Sequence, residues 1–345
     1  MKAVVIPEFG EAEVLREVAT GVPEPGAGQV SIDVAYAGAN FAEVLYRRGV
    51  VDVPLPFVPG IEVSGRVRAI GAGVSGLTVG QPVAALTIVD SGGYAEVAVT
   101  SADLVAPLPD DSSSGSSPDS GSSPDSGSSP DSGAGSGLDL ATAAALPSNS
   151  TTAFLVLDQI ARLAPGESVL VHAAAGGVGS QLGQVARLLG AGRVVGTVGS
   201  AAKIEAARAF GYDEVILRDD LATAGQFDVV VDMVGGPARQ GSLDRLAPLG
   251  RLVVMGNASG AEDVGIAANE LWFSNKTVSG FNLAAYSAVH PDRAGQALRR
   301  AVQAASAGAL RVQVETVPLA QVVETHRRIE SGATTGKLVL DVAGS

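Results

Sequence analysis

Residues 173–179 read AAAGGVG, a run of small side chains that lets backbone amides close around a phosphate. A buried-type strand, 168–174, leads into this run, and an amphipathic helix, 178–189, leads out of it. Strand, small-residue turn and helix are the setting that a dinucleotide fingerprint of the form G-x-G-x-x-G requires. Gly176 and Gly179 occupy its second and third glycines, and Ala174 stands at the first. Gly176 is expected to let the backbone approach a pyrophosphate, and Gly179 to let the helix pack close to the strand. The amides around Gly177 and Val178, with the helix dipole, would then hold the phosphates. A packing turn without a ligand is the plainer alternative. The βα units that follow favour the cofactor.

The next predicted strand, 193–198, runs into Gly199-Ser200-Ala201-Ala202-Lys203. A site for NAD usually ends this strand on Asp or Glu, which binds the ribose 2′-hydroxyl. No acid occurs between Gly190 and Glu205. Ser200 and Lys203 suit a 2′-phosphate, and Arg218, after the following strand, adds a second positive charge. The expected cofactor is therefore NADPH. The competing roles are a solvated helix lysine and a surface arginine.

The elements around this turn alternate. Strands are predicted over 193–198, 214–217, 227–233 and 250–255, and helices over 140–146, 151–163, 201–210 and 241–246. Apolar strands separated by amphipathic helices imply a parallel sheet covered on both faces, an α/β doubly wound arrangement. Residues 1–110 read instead as β-rich, with strands at 2–6, 29–35, 63–70 and 93–99 and one helix at 41–48. A helix at 293–307 and a strand at 337–342 close the chain. Between the two patterns, residues 111–137 are almost wholly Ser, Gly, Pro and Asp in tandem SGSSPD units. That composition buries too little apolar surface to offset ordering entropy, so a flexible insertion is expected.

Bulk properties narrow the classes. The 345 residues carry a net charge of −13, which disfavours nucleic acid and anionic membrane as partners. There is no cysteine, so disulfides, thiolate catalysis and thiolate zinc sites are excluded. No run of 18 apolar residues and no signal-type N-terminus is found, and a cytoplasmic location is the expectation.

With these residues in place, the chain resembles the medium-chain dehydrogenase/reductase superfamily, in its zinc-independent quinone oxidoreductase (zeta-crystallin-like) branch. The resemblance rests on GANFAEVLYRRG at 38–49, PFVPGIEVSGRVRAIGAGV at 56–74, GGYAEV at 92–97, TTAF at 151–154, HAAAGGVG at 172–179 and GKLVL at 336–340. It implies a GroES-like catalytic domain from 1–146 and 284–345, and a Rossmann domain from 147–283. Nucleotide and substrate would meet in the cleft between them. It further implies a homodimer paired through the Rossmann sheet edge near residues 271–282.

The resemblance also implies roles. Asn40 lies beside the nicotinamide and acceptor, with an amide that can donate to the acceptor oxygen. Thr152 is near the nicotinamide, its plainer role being a helix-start cap. Gly256 and Asn257 lie at the nicotinamide ribose, Phe281 and Leu283 offer backbone near the ring, and Lys337 reaches the nucleotide or is a surface lysine. Glu62 matches a family carboxylate, with structural hydrogen bonding as its favoured role. The quinone reductase pattern N-F-x-D-x-Y departs here, because Leu45 takes the Tyr place and Val51 stands near a second one. Tyr46 is the nearby phenol, a candidate proton donor or a packing residue.

The histidines, His172, His290 and His326, form no spaced ligand set, so metal catalysis is not expected. Hydride transfer to a small-molecule electrophile, a quinone or α,β-unsaturated carbonyl, is the leading expectation. An enoyl-thioester reductase of polyketide or fatty-acid assembly is the second, and an NADPH-binding protein without turnover the third.

Overall fold

The structure, a computed structural model, describes residues 1–109 and 138–344. The insertion expected over 111–137 lies outside the described residues.

Two sheets organise the chain. The first is built from β3 (Gln29–Gly38), β4 (Glu62–Ile70), β5 (Pro82–Leu86), β6 (Val97–Ser101) and β7 (Val105–Pro107), joined by β14 (Val314–Pro318) and β15 (Lys337–Asp341). A two-stranded ribbon, β1 (Lys2–Val5) and β2 (Arg16–Ala19), lies beside it. Alternate positions on β3 and β4 put Val30, Ile32, Val63 and Val67 into a core with Tyr94 and Leu340. The antiparallel pairing of β15 with β3, Val339 opposite Gly38, brings the far end of the chain next to Asn40.

The second sheet is all parallel: β10 (Glu214–Leu217), β9 (Arg193–Val198), β8 (Ser168–Val171), β11 (Phe227–Asp232), β12 (Leu246–Val254) and β13 (Thr277–Gly280), in that order. Strand order reverses at β8, which makes the carboxyl end of β8 the switch point where open α/β sheets bind ligands. Helices α4 (Gly177–Leu188), α5 (Ile204–Arg208) and α6 (Pro237–Asp244) connect the strands. The architecture is thus a Rossmann sheet, as the α/β pattern implied, with the GroES-like domain that the resemblance implied.

Three remaining helices position the cleft. Helix α1 (Phe41–Arg47) follows β3, and α2 (Leu140–Ala143) is a single turn ahead of α3 (Pro147–Phe154). Every residue of α3 is buried, because it packs against α4 on one side and against β4, β5 and the helix Pro291–Ser306 on the others. Sequence periodicity placed a helix at 151–163. The helix instead starts at Pro147, a residue favoured at a first helical position, and runs on as wider π-type turns over Leu155–Ile160. Farther on, α7 (Ala268–Ser274), α8 (Leu283–Val289), α9 (Pro291–Ser306) and α10 (Val322–Glu330) complete the chain.

Candidate functional site

The glycine turn sits at the switch point. Ala173 adopts a left-handed backbone, φ 52°, and its carbonyl turns toward α4. A Cβ on Gly179 would lie 2.2 Å from that carbonyl oxygen, so the third glycine is sterically required. Ala174 is buried against Gly196 of β9, where a Cβ would come within 2.5 Å of the alanine methyl. A Cβ on Gly177 would meet the Asn149 amide at 2.5 Å, while one on Gly176 meets only Ala173 O, at 3.3 Å. Gly176 caps α4 without a side chain, and Val178 follows in the first turn. The first amides of α4 are therefore left for an anion. Gly336 N donates to Ala175 O at 3.1 Å, which ties the turn to the start of β15.

Beside the turn, β9 ends on exposed Gly199 and Ser200. The Arg218 guanidinium lies across Gly199, with Nη2 3.5 Å from where a Cβ would stand. Its Nε is buried without a hydrogen-bond partner among the described residues. Lys203 differs from expectation. Its side chain is half-buried, and its ammonium donates to the carbonyl oxygens of Gly332 and of Thr334, the latter at 3.0 Å. Burial, then the neighbouring Arg218, lowers the Lys203 pKa. The two cations therefore converge, and Arg218 Nε is the atom left without a hydrogen-bond partner among the described residues.

Beyond β12, Gly256 O accepts from Arg239 Nη2 at 2.7 Å, and Asn257 Nδ2 donates to Ala261 O at 2.8 Å. Arg239 also bonds buried Asp232, at 3.0 Å, whose other oxygen caps Val234 and Gly235 amides. Sequence reasoning missed this pair, although an acid at the end of β11 followed by a helix-borne arginine was there to see. Phe281 N donates to Val254 O at 2.9 Å, and Leu283 opens α8 with Asn282 as its cap.

On the other side of the cleft, Asn40 caps α1. Its backbone amide donates to Glu43 Oε2 at 3.0 Å, closing a capping box. Its Nδ2 donates to Glu62 Oε1 at 2.9 Å, and has longer contacts to Gly38 O at 3.4 Å and Glu43 Oε1 at 3.5 Å. Its Oδ1 accepts from Lys337 Nζ, which also pairs with Glu62. Lys337 is thus not a surface lysine. It is 3% exposed, and its ammonium points to Asn40 and Glu62, not to free space. Glu62 Oε2 takes the Ser148 amide at 2.7 Å, at the start of α3. Thr152 is corrected as well: it lies inside α3, past the first turn, so it caps nothing.

Tyr46 rests edge-on against Phe57, centroids 5.6 Å apart. Burial, with the Glu43 charge adding to it, pushes its phenol up to about 12. Burial likewise raises the Glu43 carboxyl to about 7, against the pull of Lys337.

His172 is packed in the first Rossmann strand's continuation, with Nδ1 on Thr197 Oγ1 and Nε2 on Ser242 Oγ, both at 2.8 Å. Burial lowers its pKa to about 4, and that of His326 to about 3 beside Arg47. A histidine pKa below its unfolded value gives stability present above about pH 6.5 and lost as pH falls. The raised Glu43 acts oppositely, losing stability as pH climbs from about 4.5 to 7. Two opposing histidines leave a net of one proton between pH 5 and 6. Unfolding free energy in urea is expected to rise there by about 1.4 kcal/mol per pH unit. Glu43→Gln is expected to steepen that slope to about twice. A flat profile would contradict the buried neutral histidines.

Among the described residues, no three His, Asp or Glu side chains gather as a metal site. A zinc ion does not fit the donors present. Cysteine is lacking, and Glu62 is already bonded to Lys337, Asn40 and Ser148.

Family models for the alcohol dehydrogenase GroES-like domain and for zinc-binding dehydrogenase match residues 26–110 and 210–340. The chain is 31% identical to quinone oxidoreductase-like protein 2 of Mus musculus over 356 residues, covering 99% of this chain and 92% of that protein. It is 37% identical over 247 residues, 70% of its length, to a stretch making up 4% of a Streptomyces halstedii polyketide synthase. It superposes on Escherichia coli quinone oxidoreductase complexed with NADPH with a TM-score of 0.82 and 27% identity, covering 99% of this chain and 100% of that one.

Proposed function

The chain belongs to the medium-chain dehydrogenase/reductase superfamily, with quinone oxidoreductases among its relatives, and on that premise we propose an NADPH-dependent, metal-independent reductase of quinones or α,β-unsaturated carbonyls. The observation that carries this reading is the Arg218 guanidinium across Gly199, its buried Nε without a hydrogen-bond partner among the described residues, beside a glycine turn at the switch point of the sheet.

In this reading Ala174, Gly176, Gly177, Val178 and Gly179 form the pyrophosphate cradle. Arg218, with Ser200 and secondarily Lys203, receives the 2′-phosphate. Gly256 and Asn257 border the nicotinamide ribose, and Phe281 and Leu283 border the ring. Bound NADPH would supply a hydride from the nicotinamide ring. The chain holds the acceptor close and steadies the charge that develops on its oxygen. Asn40 suits that task, since the second hydrogen of Nδ2 has only the long 3.4 and 3.5 Å contacts and is left for an acceptor oxygen. In the same reading Thr152, within α3, lies near the nicotinamide. Burial pushes the Tyr46 phenol up to about 12, which disfavours it as an acid near neutrality and favours solvent as the proton source.

The aliphatic Leu45 and Val51 in place of tyrosines favour enones and enals over bulky planar quinones. The polyketide synthase match keeps enoyl thioesters as the second reading. Steady-state NADPH oxidation with quinones, enones and enoyl thioesters separates them. Turnover of quinones or free enones is expected, and activity confined to thioesters would sink the first reading.

We also take the chain to be a homodimer through β13. Helix α7 beside that edge buries none of its residues, and it carries a stacked pair, Trp272 and Phe273, 71% and 75% exposed.

A further inference from the structure

We propose that Lys337 and Glu62 are positioning residues for hydride transfer: their buried ion pair locks the Asn40 amide in one orientation and ties it to the nucleotide turn. The inference rests on the reading of Asn40 as the group facing the acceptor.

An asparagine amide has two ends of nearly equal shape and opposite polarity. Here a charge stands at each end. The Lys337 ammonium donates to Oδ1, and Glu62 Oε1 accepts from Nδ2 at 2.9 Å. Turning the amide over would set oxygen against carboxylate and N–H against ammonium. The ion pair therefore selects one of two orientations, and does so in a dry setting, since Glu62 is 0% and Lys337 3% exposed. A buried ion pair is weak evidence for stability, and orientation is the use that this geometry favours.

The same bonds reach the nucleotide side. Glu62 Oε2 holds the Ser148 amide, and the next residue, Asn149, packs on Gly177 of the turn. Gly336, the residue before Lys337, donates to Ala175 O at 3.1 Å. Asn40 is thus tied through Glu62 to α3, and through Lys337 to β15, and both elements touch the glycine turn. Gly38 completes the arrangement, because a Cβ there would lie 2.3 Å from Glu62 Oε1.

The test is a double-mutant cycle of Lys337→Met with Asn40→Ala, reading kcat and KM for an enone and Kd for NADPH. Lys337→Met is expected to lower kcat about tenfold or more, with the NADPH Kd changed less than about threefold. The double variant is expected to be no slower than Asn40→Ala alone, since both changes remove one interaction. Losses that multiply would overturn the proposal, because Lys337 would then act apart from Asn40. An unchanged kcat with about tenfold weaker NADPH would also overturn it, making Lys337 a nucleotide contact. If Asn40→Ala turns over like the unmutated protein, the reading of Asn40 itself fails, and the proposal with it. Should Lys337→Met not fold, Glu62→Gln carries the same cycle, since it keeps volume and a carbonyl for Ser148 while removing the charge. Lys337→Arg is expected to recover part of the lost kcat.

Discussion

Arg218→Glu is expected to weaken NADPH binding about a hundredfold while leaving NADH within about threefold. The guanidinium lies across Gly199 at the end of β9, where a fingerprint of this kind places the adenosine ribose. Its Nε is buried and unbonded among the described residues, so part of its hydrogen-bonding capacity is unused. A charge-assisted bond to phosphate contributes about 1.5–3 kcal/mol, and a carboxylate in its place adds repulsion. Lys203→Met is expected to cost NADPH less than about fivefold, because a neutral side chain there removes only a cation already shared between two carbonyls. Titration of both nucleotides against the three proteins checks this. Equal losses for NADPH and NADH in Arg218→Glu would place Arg218 elsewhere in the site.

Gly179→Ala is expected to destabilise the fold by about 1–3 kcal/mol and to weaken NADPH about tenfold or more. The added carbon would stand 2.2 Å from Ala173 O and 2.9 Å from Ala174 Cα, both backbone, so α4 must move away from β8. That shift displaces the amides that face the phosphates. Gly176→Ala is the control. Its Cβ would meet only Ala173 O, at 3.3 Å, and Gly176 has an ordinary extended backbone, so stability is expected to change little. Urea unfolding and nucleotide titration read both effects. Equal destabilisation by the two substitutions would contradict the packing assigned to Gly179.

The difference between these sites explains what could be read in advance. The glycine turn is local: strand, small residues and helix are contiguous, so their pattern carries the geometry. The parallel sheet followed from apolar runs at 168–174, 193–198 and 227–233, which need cover on both faces. One feature of the turn left no mark in that pattern: Ala173, not a glycine, holds the left-handed conformation. Lys337 and Asn40 are 297 positions apart, and only the β15–β3 pairing brings them together. Lys203 finds its carbonyl partners 129 and 131 positions away, at Gly332 and Thr334. Neither partner leaves a periodic trace near the lysine. Strands β5 and β7 were missed for another reason: PVAAL and VAP are short and open or close on proline.

The substrate-side reading of Asn40 and the nucleotide-side reading of Arg218 meet in one claim, that a hydride crosses the cleft directly. Turnover of an enone with NADPH deuterated at the transferring position of C4 tests it. Direct transfer predicts deuterium on the β-carbon of the reduced product, with solvent hydrogen on the α-carbon. NADPH that binds tightly but is oxidised by no acceptor, or a product without deuterium at the β-carbon, would contradict it.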